Sequence, residues 1–135
     1  MNKNKALDKL TELIEGIIFH SLFLSELLNL VAGKGFEEKV FKLLTKQLIL
    51  LNRYGVMVTN TKEFENIGSG LYSMHLTGSG FNLRILFAFL PNAQPVLLLA
   101  FHERAGKRKT DYSSYLDPAL ARFAEKKEEY ELGYI

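Results

Sequence analysis

The chain contains no cysteine. That excludes a disulfide scaffold, a thiolate metal site and a thiol nucleophile, and it suits a reducing compartment. An apolar run of membrane length is missing too. The most hydrophobic stretch, "LIEGIIFHSLFLSELLNLV", is interrupted by Glu15, His20, Ser21, Ser25, Glu26 and Asn29, whereas a span needs about 20 nearly continuous apolar residues. Lysines precede this stretch as they would in a signal peptide, but Glu15 falls early in it and no small-residue cleavage site closes it. A cytoplasmic protein with no membrane association is expected. No Pro-rich, Gly/Ser-rich or repeated segment marks a linker or an array. An excess of one charge is absent as well: 17 Lys and Arg stand against 15 Asp and Glu, a net charge of +2. The molecule is therefore no polycation, and any basic surface must be local.

What is present is an ordinary globular composition, 47% hydrophobic and 24% charged over 135 residues. This supports one domain, 1–135, with a real core. Leu7, Leu10, Leu13 and Ile14 recur at helical spacing, so residues 1–13 read as a helical extension. "GIIFH" reads as a short strand ending near Ser21, which would cap a helix through "LFLSELLNLV"; a continuous helix over 5–31 fits the apolar count almost equally. "AGKG" ends that helix, and a second runs from Phe36 to about Tyr54 on a stripe of Val40, Leu44, Leu48 and Leu51. These two predict a helical hairpin.

Beyond "NTKEFENIGSG" the period changes from 3.6 to 2. "LYSMHLT" and "NLRILFAFL" flank Gly78-Ser79-Gly80, and "PVLLLAFHE" follows the turn residues Pro91 and Asn92, which predicts a three-strand antiparallel meander. A last helix is expected from about Ser113 to Tyr130, with Ser113 or Ser114 as cap and Pro118 in its first turn. The fold class is α+β: a helical hairpin packed on a small antiparallel sheet, with a C-terminal helix.

With Ser79 and Gly80 at the turn, His75 faces Arg84. Pairing Leu90 with Val96 in the next hairpin sets Arg84 opposite His102, and aligns Ile85, Phe87 and Phe89 with Phe101, Leu99 and Leu97 as one apolar face. His75, Arg84 and His102 are then expected in a row on the sheet face turned away from the helices. Arg104, Lys107, Arg108 and Lys109 leave the sheet beside it, and Tyr112 follows. Lys39, Lys42 and Lys46 share one side of the second helix, which by itself reads as a solvated face.

Two histidines flanking an arginine make a poor metal site, so neither metal nor cofactor is expected. No P-loop is present, and no serine triad has an elbow or an acid partner. Such a row suits a phosphodiester. Cleaving RNA without a metal takes a base for the 2′-hydroxyl, a cation for the non-bridging oxygens and an acid for the leaving oxygen. Imidazole and phenol groups can exchange those protons, while an arginine clamps charge.

The segments "IGSGLYSMHLTGSGFNLRILFAF" and "VLLLAFHERAGKRKTDYSSYLDPALARFAE", behind a helical hairpin, resemble the RelE/HigB/ParE superfamily of bacterial toxins, in particular its HigB-like, phage-derived branch. The similarity extends from about Ile14 to Glu125. It implies a RelE-like toxin of a type II toxin–antitoxin system that cleaves messenger RNA on the translating ribosome and so inhibits translation. It also implies a cognate antitoxin, typically a helix-turn-helix protein, and a homodimer or a toxin–antitoxin hetero-oligomer. By position Arg84 would hold the scissile phosphate, Lys107, Arg108 and Lys109 would form the basic segment and Tyr112 the C-terminal aromatic; Lys39, Lys42 and Lys46 would touch ribosomal RNA. The chain departs from the pattern at Ser73-Met74-His75, where Glu-Leu-Arg is usual, and at His102-Glu103-Arg104, where lysines are common. Alternatives on the same fold are a ParE-like gyrase inhibitor and an inactive binding module.

Overall fold

The computed structural model describes residues 15–103 and 110–135. The expected helical extension over 1–13, and the basic residues Arg104, Lys107, Arg108 and Lys109, lie outside the described residues. Strand β1 (Ile18–Phe19) leads into helix α1 (Ser21–Val31) and helix α2 (Glu37–Tyr54), and a 3₁₀ turn (Gly55–Asn60) follows. Then come β2 (Phe64–Gly68), β3 (Leu71–Gly78), β4 (Phe81–Phe89), β5 (Pro95–His102) and helix α3 (Ser113–Glu131). The α+β class is as expected. The sheet is larger than expected, with five strands among the described residues in the order β1-β5-β4-β3-β2.

The meander of β3, β4 and β5 is present, extended by antiparallel β2 on one edge and by β1, parallel to β5, on the other. So the sheet is mixed rather than purely antiparallel. The short strand "GIIFH" forms, but the cap of α1 is His20 and not Ser21: its Nδ1 accepts from the Leu22 N–H at 3.1 Å. Its Nε2 meets Glu125 of α3 at 2.8 Å. In α3 neither expected serine caps. Tyr112 occupies that position without a side-chain cap bond, and Asp111 Oδ1 takes the Ser113 N–H at 3.0 Å. Pro118 consequently falls beyond the first turn.

The two faces of the sheet carry different layers. Phe23, Leu27 and Val31 of α1 and Val40, Leu44, Leu48 and Leu51 of α2, at helical spacing, bury against Met74, Leu76, Leu83, Ile85 and Phe87. On the opposite face Leu116, Leu120 and Phe123 of α3 cover Leu86, Ala88, Leu98, Leu99 and Phe101. The face expected to be free of helices is thus the floor of α3, because β5 is apolar on both sides and needs both covered.

The first hairpin has the expected register, Gly78 with Phe81 and His75 with Arg84. Gly80 takes φ +88° at the turn, and a Cβ on Gly78 would collide with the Phe81 ring. The second hairpin differs from expectation. Arg84 pairs with Phe101, not His102, which lies opposite Leu83. Ile85 and Phe87 accordingly pair with Ala100 and Leu97. Two local features cause the shift. The Leu90 N–H bonds to Gln94 O at 2.9 Å, closing a three-residue turn in which Ala93 holds the left-handed φ of +70°. Leu98 is then a bulge, since Leu86 pairs with Leu99 while Phe87 pairs with Leu97.

Candidate functional site

β2, β3, β4 and the start of α3 bring five polar side chains together on the α3 side of the sheet. Glu65 pairs with Ser73 across β2 and β3, and His75 with Arg84 across β3 and β4. The His75 N–H bonds outward to Glu63 O at 2.8 Å. His75 and Arg84 therefore form a pair with no ladder hydrogen bonds between them, the geometry that brings facing side chains closest.

Tyr112 crosses above β4. Its ring meets Phe101 of β5 edge-on, with centroids 6.1 Å apart, and its hydroxyl lies 2.9 Å from Glu65 Oε1, 2.9 Å from Ser73 Oγ and 3.3 Å from His75 Nε2. A phenol has one proton to give. The carboxylate can only accept, so Tyr112 donates to Glu65 and receives from Ser73 or the imidazole. Glu65 also lies 3.6 Å from His75 Nε2.

Arg84 is held by neutral oxygens. Its Nε donates to Thr110 Oγ1 at 3.2 Å, and Nη1 donates to Asn82 Oδ1 at 2.6 Å and Leu83 O at 3.3 Å. Glu65 meets His75 and Tyr112 rather than this arginine. The guanidinium is thus fixed in direction, and among the described residues no carboxylate pairs with it.

Burial lowers the His75 pKa, and the neighbouring Arg84 charge lowers it further, against the opposing pull of Glu65 and Glu103. Its imidazole is held neutral at neutral pH. Burial also raises the Tyr112 pKa, so the phenol keeps its proton. The arrangement sets a fixed cation opposite an unprotonated imidazole across the β3–β4 pair, with a protonated phenol 3.3 Å from that imidazole.

Of the residues expected at the site, Arg84, His75 and Tyr112 are brought together. His102 is not. It sits exposed at the end of β5 on the other face, and its Nε2 accepts from the Asn82 N–H at 3.3 Å. Its place beside Arg84 is taken by Phe101, whose ring stacks on Tyr115 with centroids 3.8 Å apart. Glu65 as the carboxylate of His75 and Tyr112 was missed by sequence reasoning, since "FENIG" is short and ends in glycine. The alternation of Phe64, Glu65 and Asn66 was the signal that could have revealed it.

Lys39, Lys42 and Lys46 are exposed along α2. They are not remote from His75. A groove of about 330 Å³ at the end of β3 is lined by Lys46, Gln47, Lys62, His75 and Thr77. It adjoins a second of about 390 Å³, between Lys39, Lys42 and Lys46 on one side and Gly78 and Phe81 on the other. Among the described residues no group of three or more His, Asp and Glu could hold a metal ion, and no helix is long and apolar enough to cross a membrane. No family model, curated protein or solved structure matches the chain.

Proposed function

We propose that the protein is a toxin of the RelE/HigB/ParE kind, a metal-independent endoribonuclease acting on messenger RNA at the ribosome and neutralised by a cognate antitoxin. The observation that carries this reading is Arg84: a half-buried guanidinium aimed by three neutral oxygens and flanked by a neutral imidazole. A phosphodiester supplies an anion to a cation that no carboxylate among the described residues pairs with. His75 Nε2 takes the proton of the 2′-hydroxyl as that oxygen attacks phosphorus, and Arg84 binds the non-bridging oxygens as charge gathers on them. Tyr112, which retains its proton, gives it to the departing 5′-oxygen. The products are a 2′,3′-cyclic phosphate and a 5′-hydroxyl end. Ser73 and Glu65 position the phenol, and Lys46 and Lys62 extend positive potential away from His75. His102 lies on the opposite face and takes no part in this scheme.

Inducible expression in a bacterium, wild type beside Arg84→Ala, with 5′-hydroxyl ends mapped across the transcriptome, tests the reading. Growth arrest and new ends should appear together and vanish together in the variant. Arrest without new ends would point instead to a gyrase inhibitor of the ParE kind, and folded protein with no effect to a binding module.

A further inference from the structure

The groove between Lys39, Lys42, Lys46 and Phe81 is floored by carbon. Leu43, Gly78, Phe81 and the lysine stems line it, and the ammonium groups stand around it. Phe81 is 3% exposed and packs on Phe36 with centroids 5.2 Å apart, so it presents no open ring on which a base could stack. Nor does this floor offer a hydrogen-bonding edge. An apolar side chain needs only carbon, whereas a nucleobase needs a stack or an edge. Next to this groove the β2–β3 ladder ends with the bond from His75 N–H to Glu63 O, and among the described residues no strand pairs with β3 at Thr77 and Gly78 on that side. A strand edge of that kind pairs with a polypeptide backbone.

We infer that this trough is the docking site of an acidic polypeptide segment, which lies along the edge of β3, seats an apolar side chain between Leu43 and Phe81, and pairs its carboxylates with Lys39, Lys42 and Lys46. The charge complementarity is one-sided, since among the described residues the charged side chains that line the apolar half of the trough are Lys39, Lys42 and Lys46. At its other end the trough reaches His75. A segment filling its length covers that approach and occupies the lysines at once, so the polypeptide and an RNA strand exclude each other. The docking rests on the trough and not on the chemistry at Arg84, while the competition with RNA rests on the proposed function.

Panning a random peptide library of about a dozen residues against the full chain, with counter-selection on Lys42→Glu/Lys46→Glu protein, tests it. Enriched peptides should carry Asp or Glu on both sides of an aliphatic or aromatic residue. A synthetic copy of the leading peptide should bind the charge-reversed protein at least tenfold more weakly, and Lys42→Gln/Lys46→Gln should fall between. Its complex should shift the backbone amides of Leu43, Thr77 and Gly78. Arg84→Gln, which ends cleavage under the proposed function, should leave peptide affinity unchanged, so the two ideas fail separately. Peptides without acidic residues, binding indifferent to charge reversal, or no enrichment at all would overturn the inference. So would an oligoribonucleotide of similar length that shifts the same amides and displaces the selected peptide.

Discussion

His75 is the residue on which the local electrostatics converge. Burial and Arg84 lower its pKa from 6.5, while Glu65 and Glu103 oppose them. Removing the cation must therefore raise it, and removing the carboxylate must lower it. In an NMR titration of the imidazole, Arg84→Gln should move the His75 midpoint toward the ordinary value and Glu65→Gln should move it further down; shifts of the opposite sign would refute this arrangement. The same shift sets a pH dependence. A histidine that binds its proton less readily when folded contributes stability above its unfolded pKa, and that contribution is lost as pH falls through about 6.5 toward the folded value. Urea midpoints should decline over this window in the wild type and less so in His75→Gln. Tyr112→Phe keeps the ring on Phe101 but removes the hydroxyl that joins Glu65, Ser73 and His75. It should cost about 1 kcal/mol by chemical denaturation. The pairing of His75 with Arg84 was legible in the sequence because Gly78-Ser79-Gly80 admits one tight turn between two alternating strands. The position of His102 was not, because "PVLLLAFH" is apolar on both faces and its alternation cannot report a one-residue shift.

Among the elements, β5 depends most on its neighbours. β1 covers it only at Val96 and Leu97. Beyond that point two side chains serve as the missing strand: Arg122 of α3 donates to Leu98 O at 2.8 Å, and Glu26 of α1 accepts from the Ala100 N–H at 3.2 Å. These two also bind each other through both ends, at 2.7 and 2.6 Å. One ion pair thus satisfies the edge and links the helix layers on either face. Arg122→Met leaves Glu26 and Leu98 O without this donor, and should destabilise by about 2 kcal/mol, less than a fully buried pair because both side chains keep some solvent contact. The turn before β5 provides a test of opposite sign. Ala93 at φ +70° occupies a conformation that glycine adopts without strain. Ala93→Gly should stabilise by about 1 kcal/mol in urea denaturation. That turn was invisible in the sequence because the residue marking it is not glycine, whereas the helix boundaries near Phe36 and Ser113 were visible in the apolar period and in the breaks beside them.

Seen whole, the molecule is a five-stranded mixed sheet between helix layers, with its polar cluster on one face and its lysine trough along the far side of β3. The sheet forces this division. Residues alternate across β3, so His75 and Thr77 turn toward the cluster while Leu76 joins the core beneath α2. The cations that lie far apart in the sequence are brought to adjoining surfaces by the packing of α2 on β3, a relation that no local pattern encodes. Single-turnover cleavage of a messenger RNA held on a translating ribosome, with purified protein in the presence of a metal chelator, measures the central claim most directly. Wild type should yield a 5′-hydroxyl product, and Arg84→Gln should slow cleavage by about a hundredfold or more at saturating enzyme, the loss expected for an oxyanion donor. Cleavage that survives Arg84→Gln, or that the chelator abolishes, would contradict the assignment of the site.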